Sequence, residues 1–227
     1  MAVPYASIHH LYHDHYAGGV KIAEWAKQLH RNARLMLERT AIVPNLARAH
    51  LLLDVLERLG PTSHASETQQ SQVFGIFGLL TECYTPVADD VLVTAAFEIH
   101  AKAKLLNAGY IIHNIRKPAH LRKRQKDQPI HVRTVRAMMK RGNDVLFDRT
   151  TLRITTLLQE SYIRHYPLSA VALIAFDEVR RRRNLVHFAE PYTWGIDRNL
   201  LELVDHLNGV VPLFPKPARR RRSRPSA

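Results

Sequence analysis

The chain has 227 residues, 46% of them hydrophobic and 23% charged, which is enough to build a packed core of one sizeable domain or two small ones. Its formal net charge of +13 is unusual for a globular protein and points to polyanionic partners, nucleic acid first and an anionic surface second. The single Cys83 excludes an intramolecular disulfide and any multi-cysteine zinc site, and no apolar run approaches the length of a membrane span, so the sequence reads as a soluble, cytoplasmic protein that does not enter a membrane.

In chain order, the opening "MAVPYASIHHLYHDHY" lacks the basic start and apolar middle of a secretory signal and reads as a polar, poorly ordered lead-in. Its His9, His10, His13, Asp14 and His15 could hold a transition metal. A terminal segment without partner cysteines is a poor source of ligands, and the expectation is no metal and no cofactor. "GGVKIAEWAKQLHRNARLMLER" carries Val20, Ile22, Trp25, Leu29, Leu35 and Met36 at helical spacing, and "VPNLARAHLLLDVLERLGP" has Pro44 in a first helical turn and Gly60 at its end. These two predict an antiparallel helical pair within an N-terminal helical segment, residues 1–61. Residues 62–70 are polar and read as a linker or the start of a helix, with Ser66 as its cap. Together with "QVFGIFGLLTECY" they form a linker and connecting helix over residues 62–86.

A long amphipathic helix follows, "VADDVLVTAAFEIHAKAKLLNAGY", stopping at Gly109, and then a proline-containing basic loop or broken helix. Helices are predicted over "VRTVRAMMKRG", across "DRTTLRITTLLQESYIRHY", over "PLSAVALIAFDEVRRRRNLVHF" from Pro167, and over "RNLLELVDHLNG" to Gly209. Strand signals are nearly absent, so the expected class is all-α, a helical bundle over residues 87–210 with the N-terminal helical pair added. Residues 211–227, rich in proline and arginine, read as a disordered basic tail, a generic polyanion hook.

The charge is clumped. Arg116, Lys117, Arg122, Lys123, Arg124 and Lys126 form one cluster, Arg180, Arg181, Arg182 and Arg183 a second, and Lys216 with Arg219 to Arg222 and Arg224 a third. In the second, "VRRRRNLVHF", the arginines fan around a helix at about 100° per residue. Arg183 and His187, four apart, share a face, whereas Arg182 and His187 are roughly 140° apart. Taken alone, the stretch reads as a solvated or ion-paired basic face with a half-buried histidine at the helix end. Tyr162, Tyr166, Tyr192 and Trp194 could stack on bases but read first as core aromatics.

Two stretches taken together say more. "FEIHAKAKLLNAGYIIHNI", with Glu98, Lys102 and His113, is followed after an intervening helix by "RRRNLVHF". This order resembles the HEPN family of all-helical nucleases and nucleotide-binding domains. In that family a helix bearing Glu, three residues, Lys, then aliphatics, Gly and His is met by a later helix with Arg, four to six residues and His. The likeness covers about residues 87–208. It departs from the pattern where Arg183 follows Arg182 and Asn184 comes one later, which leaves open which arginine is the functional one.

The resemblance implies a metal-independent endoribonuclease, of the kind found as toxins and phage-defence effectors, that cleaves RNA by 2′-hydroxyl attack. His187 would exchange protons, Arg182 or Arg183 would hold phosphate, and Glu98 would orient a motif residue or take part in proton transfer unless it is simply paired with Lys102. Arg116 to Lys126, with Arg180 and Arg181, would track the nucleic-acid backbone, RNA or DNA. Family members commonly dimerise across a composite site, so a homodimer and an antitoxin or other partner protein are expected. The rival expectation is a non-catalytic nucleic-acid-binding helical protein in a packaging, scaffold or regulatory role. Nucleotidyl transfer is a weaker third, since no motif here would carry it.

Overall fold

The computed structural model describes residues 5–14, 18–60, 66–85, 87–115, 134–140, 146–165, 170–187 and 196–213. These are predominantly helical, with α1 Gly18–Glu38, α2 Ile42–Leu59, α3 Glu67–Glu82, α4 Ala88–Asn107, the short α5 Val135–Met139, α6 Ile154–Leu157 and α7 Glu160–Ile163, then α8 Ala170–His187 and α9 Arg198–Val210. A π-helical segment, His9–Asp14, precedes α1.

At the centre is α4, which buries residues along most of its length, from Asp89 to Leu106, polar ones such as His100 and Lys102 included. Its most extensive partner is α1, which lays Ala26, Ala33 and Leu37 inward, so that short alanines on both helices let the backbones approach. The first two helices still touch, as expected, but each has its main contacts elsewhere. With α4 taking α1's apolar stripe, α2 packs instead on α3 and α9. α8 also reaches α4, where Phe176 stacks on Phe97 with ring centroids 3.9 Å apart, and α9 fastens onto α8. Polar links cross these contacts. Arg198 at the start of α9 donates to Asp54 and Glu57 of α2, 2.7 Å each, His50 meets Asp205 at 2.6 Å, and Arg34 of α1 donates to Asn208 at 2.8 Å. One contiguous core runs from Ile8 to Val211.

Several ends are set by local chemistry. Ser66 caps α3 as expected, its hydroxyl accepting from Gln69 N–H while the Gln69 side chain accepts from Ser66 N–H, a reciprocal capping box. At the N-terminus of α2 Ala41 has no capping side chain, and the Thr40 hydroxyl accepts from Val43 N–H at 3.3 Å. The buried carboxylate of Asp89, from the first turn of α4, accepts from Ala41 N–H at 3.0 Å and Ile42 N–H at 3.1 Å, placing negative charge where the helix dipole favours it. Burial still pushes that carboxyl's pKa up. Beyond the end of α4, Gly109 takes φ +82, a conformation glycine adopts without steric cost.

The structure departs from the sequence expectation in three elements. A small antiparallel sheet of order β1–β3–β2 is present, built from Tyr5–Ser7, Leu146–Thr151 and His113–Ile115. Its strands are three to six residues long, too short to give an alternating pattern that stands out from the sequence. The helix expected over residues 148–166 is consequently a strand followed by the two one-turn helices α6 and α7. Nor is the opening segment a loose lead-in, since Ile8, Leu11 and Tyr12 are buried and Tyr12 is among the largest fully buried side chains. Val211, assigned from sequence to the tail, is a core residue.

Candidate functional site

Glu98 and Lys102 lie one turn apart on α4, so their side chains meet on one face. Lys102 is only 7% exposed, and its ammonium donates to the Glu98 carboxylate and, at 2.8 Å, to Thr151 Oγ1 of β3. The Glu98 side chain is 27% exposed and opens this network to solvent. Thr151 is also the register partner of His113 on β2, so the sheet places the histidine beside this pair.

His113 is buried, and its Nδ1 is 2.7 Å from the Tyr12 hydroxyl, which also accepts from Ile112 N–H at 2.9 Å. The Tyr12 hydroxyl and His113 Nδ1 thus share one hydrogen bond, with the hydroxyl oxygen also taking up the backbone N–H. Burial, and secondarily the charge of Lys102, push the His113 pKa down to about 4, in keeping with a neutral ring. Trp25 of α1 packs against His113 at 5.7 Å between centroids, and Phe147 closes on Tyr12 at 6.5 Å. Glu98 and Lys102 thus share one hydrogen-bonded group with Thr151, and His113 a second with Tyr12, the charge of Lys102 being felt at His113.

A second histidine group lies where α1, α4 and α9 meet. His30 and His100 pack with centroids 5.1 Å apart, and the buried Nδ1 atoms of both and Nε2 of His206 have no hydrogen-bond partner. Burial first, then the neighbouring His30, Lys104 and His206, push the His100 pKa down to about 3. These neutral rings pack as core groups. Among the described residues no three His, Cys, Asp or Glu side chains come close enough to hold a metal ion, His9 and His10 of the π-helical segment included; the side chains of His13, Asp14 and His15 lie outside them.

The arginine-rich end of α8 has a different character. Arg180 donates to Asp177 one turn back at 2.6 and 3.2 Å, and the exposed Arg181 reaches Asp177 at 3.4 Å and Glu178 at 3.7 Å. These two cations are drawn into pairs along their own helix. The helix continues unbroken to His187, so Arg183 and His187 are one turn apart along it, while the side chains of Arg182, Arg183 and His187 are outside the described set. Arg116, Lys117, Arg122, Lys123, Arg124 and Lys126 also lie outside the described residues, as do the arginine tail, Tyr166, Tyr192 and Trp194. Tyr162 is buried in the core, and burial pushes its hydroxyl pKa up.

Sequence reasoning missed Tyr12, Trp25 as a partner of His113, and Thr151. The signal nearest to Tyr12 was the histidine-rich string around it, which draws attention to metal chemistry, whereas the apolar members Ile8, Leu11 and Tyr12 are what anchor the segment.

None of the described helices is long and apolar enough to cross a membrane. No family model, no curated protein and no solved structure matches the chain.

Proposed function

We propose that the protein is a metal-independent endoribonuclease of HEPN-like type, acting through the end of α8, in the manner of a toxin or defence effector. The observation that supports the reading is that the two stretches lie on packed elements: Glu98 and Lys102 pair on α4, Lys102 reaches Thr151, the register partner of His113, and α8, which bears the second stretch, packs on α4 where Phe176 stacks on Phe97. The +13 charge supplies the attraction to RNA.

In the proposed reaction the ribose 2′-oxygen attacks the adjacent phosphorus, the bond from phosphorus to the 5′-oxygen breaks, and a 2′,3′-cyclic phosphate and a 5′-hydroxyl result. His187 takes the 2′-hydroxyl proton or delivers one to the leaving 5′-oxygen, a role suited to an imidazole near neutral pH and worth about 10²–10⁴-fold. Arg183, one helical turn away, or Arg182 holds the non-bridging oxygens where charge builds up. Glu98 is a positioning residue in this scheme, committed to Lys102.

Purified protein and labelled total RNA, incubated with EDTA, test the class of reaction. Fragments ending in 2′,3′-cyclic phosphate are expected, and intact RNA would refute it. A second reading, non-catalytic RNA binding, is favoured by the pairing of Arg180 and Arg181 with acids of their own helix and by the enclosure of His113. It predicts retention of RNA that weakens steeply with salt, with no cleavage.

A further inference from the structure

We infer that the surface around residues 109–112, beside the starts of α5 and α6 and the end of α7, is a contact site for the phosphate backbone of RNA, made by Arg136, Arg153 and Arg164. Three contacts from distant parts of the chain meet on that segment. Val135 N–H donates to the Gly109 carbonyl at 2.9 Å, Leu152 N–H donates to the Ile112 carbonyl at 2.7 Å, and the His165 ring packs on Tyr110 with centroids 4.2 Å apart. Gly109 and Ile112 are separated by a chain distance on the order of 10 Å. Arg136, Arg153 and Arg164 are the immediate chain neighbours of Val135, Leu152 and His165, so their backbones gather about one short stretch. All three arginines are exposed, while Val135 and Leu152 are buried and His165 is half-buried. Lys140, exposed one turn on from Arg136, adds a fourth cation.

What selects a polyanion is that these charges are unmatched. Among the described residues none of the four cations forms an ion pair, and Glu160, the one acid on α5, α6 and α7, bridges to none of them. Elsewhere Lys27, Arg48, Arg180 and Arg198 each hold a carboxylate at 2.6–2.8 Å. A cation already held by a carboxylate must release it to take a phosphate, whereas an exposed unpaired arginine presents its planar fork directly to two phosphate oxygens. Nucleic acid is favoured over an anionic membrane because binding at a lipid interface inserts apolar side chains. Among the described residues, no large exposed hydrophobic side chain lies on α5, α6, α7 or residues 109–112. The inference rests on the reading that RNA is the partner, and it does not depend on cleavage.

Binding of the full-length chain to a labelled 2′-O-methyl oligoribonucleotide, which cannot be cut by 2′-hydroxyl attack, tests it between about 50 and 200 mM salt. An Arg136→Ala/Arg153→Ala/Arg164→Ala variant with unchanged far-ultraviolet circular dichroism is expected to bind more weakly. Its slope of log affinity against log salt should be shallower by about 2, at roughly 0.7 per lost phosphate contact on a single strand. Lys27→Ala/Arg48→Ala, which removes cations already paired with Glu24 and Glu82, should keep the wild-type slope. Should the triple variant fail to fold, the three single variants are read instead, each expected to lower the slope by roughly 0.7. RNA binding with an unchanged slope in the triple variant overturns the surface and leaves the RNA reading standing, as does an equal drop in the Lys27 and Arg48 control. A wild type that binds no RNA overturns both. Loss of binding to phosphatidylserine-containing vesicles in the triple variant, with RNA binding unchanged, assigns the patch to a membrane and overturns the inference.

Discussion

The central helix α4 and the later helix α8 each carry charged and histidine residues, and they use them in opposite ways. On α4, Lys102 is buried and its charge is met by partners from two elements, Glu98 beside it and Thr151 across on β3, with His113 held neutral close by. On α8, Arg180 and Arg181 are met by Asp177 and Glu178 of the same helix, at the surface. A buried charge cannot go unpaired, so removing one partner is costly, whereas an exposed intrahelical pair contributes little. The first arrangement therefore ties α4 to the sheet, and the second stays within α8.

Acid should break the α4 side most. Between pH 6.5 and the folded values of about 4 for His113 and about 3 for His100, the folded protein binds fewer protons than the unfolded chain, so stability falls as pH drops through that window. At pH 5 the loss is about 2 kcal/mol for each ring, read by urea denaturation at pH 7 and pH 5. A His100→Leu variant should show a shallower fall.

Next in size, Lys102→Met strips the partner from Glu98 and the donor from Thr151 and should cost about 3 kcal/mol. Adding Glu98→Gln should recover part of that in a double-mutant cycle, and full additivity would show that the two side chains do not act as a pair. Tyr12→Phe leaves His113 Nδ1 and Ile112 N–H without their shared hydroxyl, for an expected cost of about 1–3 kcal/mol. Smallest of all, Arg181→Ala should change stability by less than about 0.5 kcal/mol. An Arg181 effect as large as that of Lys102 would erase the distinction between the two helices.

Legibility in the sequence follows the same physics. The ends of α2 and α3 were readable because Pro44, Gly60, Ser66 and Gln69 act through their own backbone neighbours. α4, α8 and α9 were readable from long apolar periodicity. What was not readable depends on contacts distant in the chain. The three strands pair residue 5 with 148 and residue 113 with 151, and Thr151 acquires a role only because β3 carries it to Lys102. α1 has an apolar stripe that any facing helix could cover, and the sequence does not say that α4 outcompetes α2 for it. Within the candidate site the spacing of Glu98 and Lys102 announced their contact, while the enclosure of His113 by Tyr12 and Trp25 required the tertiary fold.

The most direct test of the account compares RNA cleavage, with EDTA present, by wild type, Glu98→Gln and His187→Ala at equal amounts of folded protein. Cleavage in the wild type, retained in Glu98→Gln and abolished in His187→Ala, is the predicted result, placing chemistry on α8 and scaffolding on α4. His187→Ala cutting as well as wild type, or a wild type that leaves RNA intact, would contradict it.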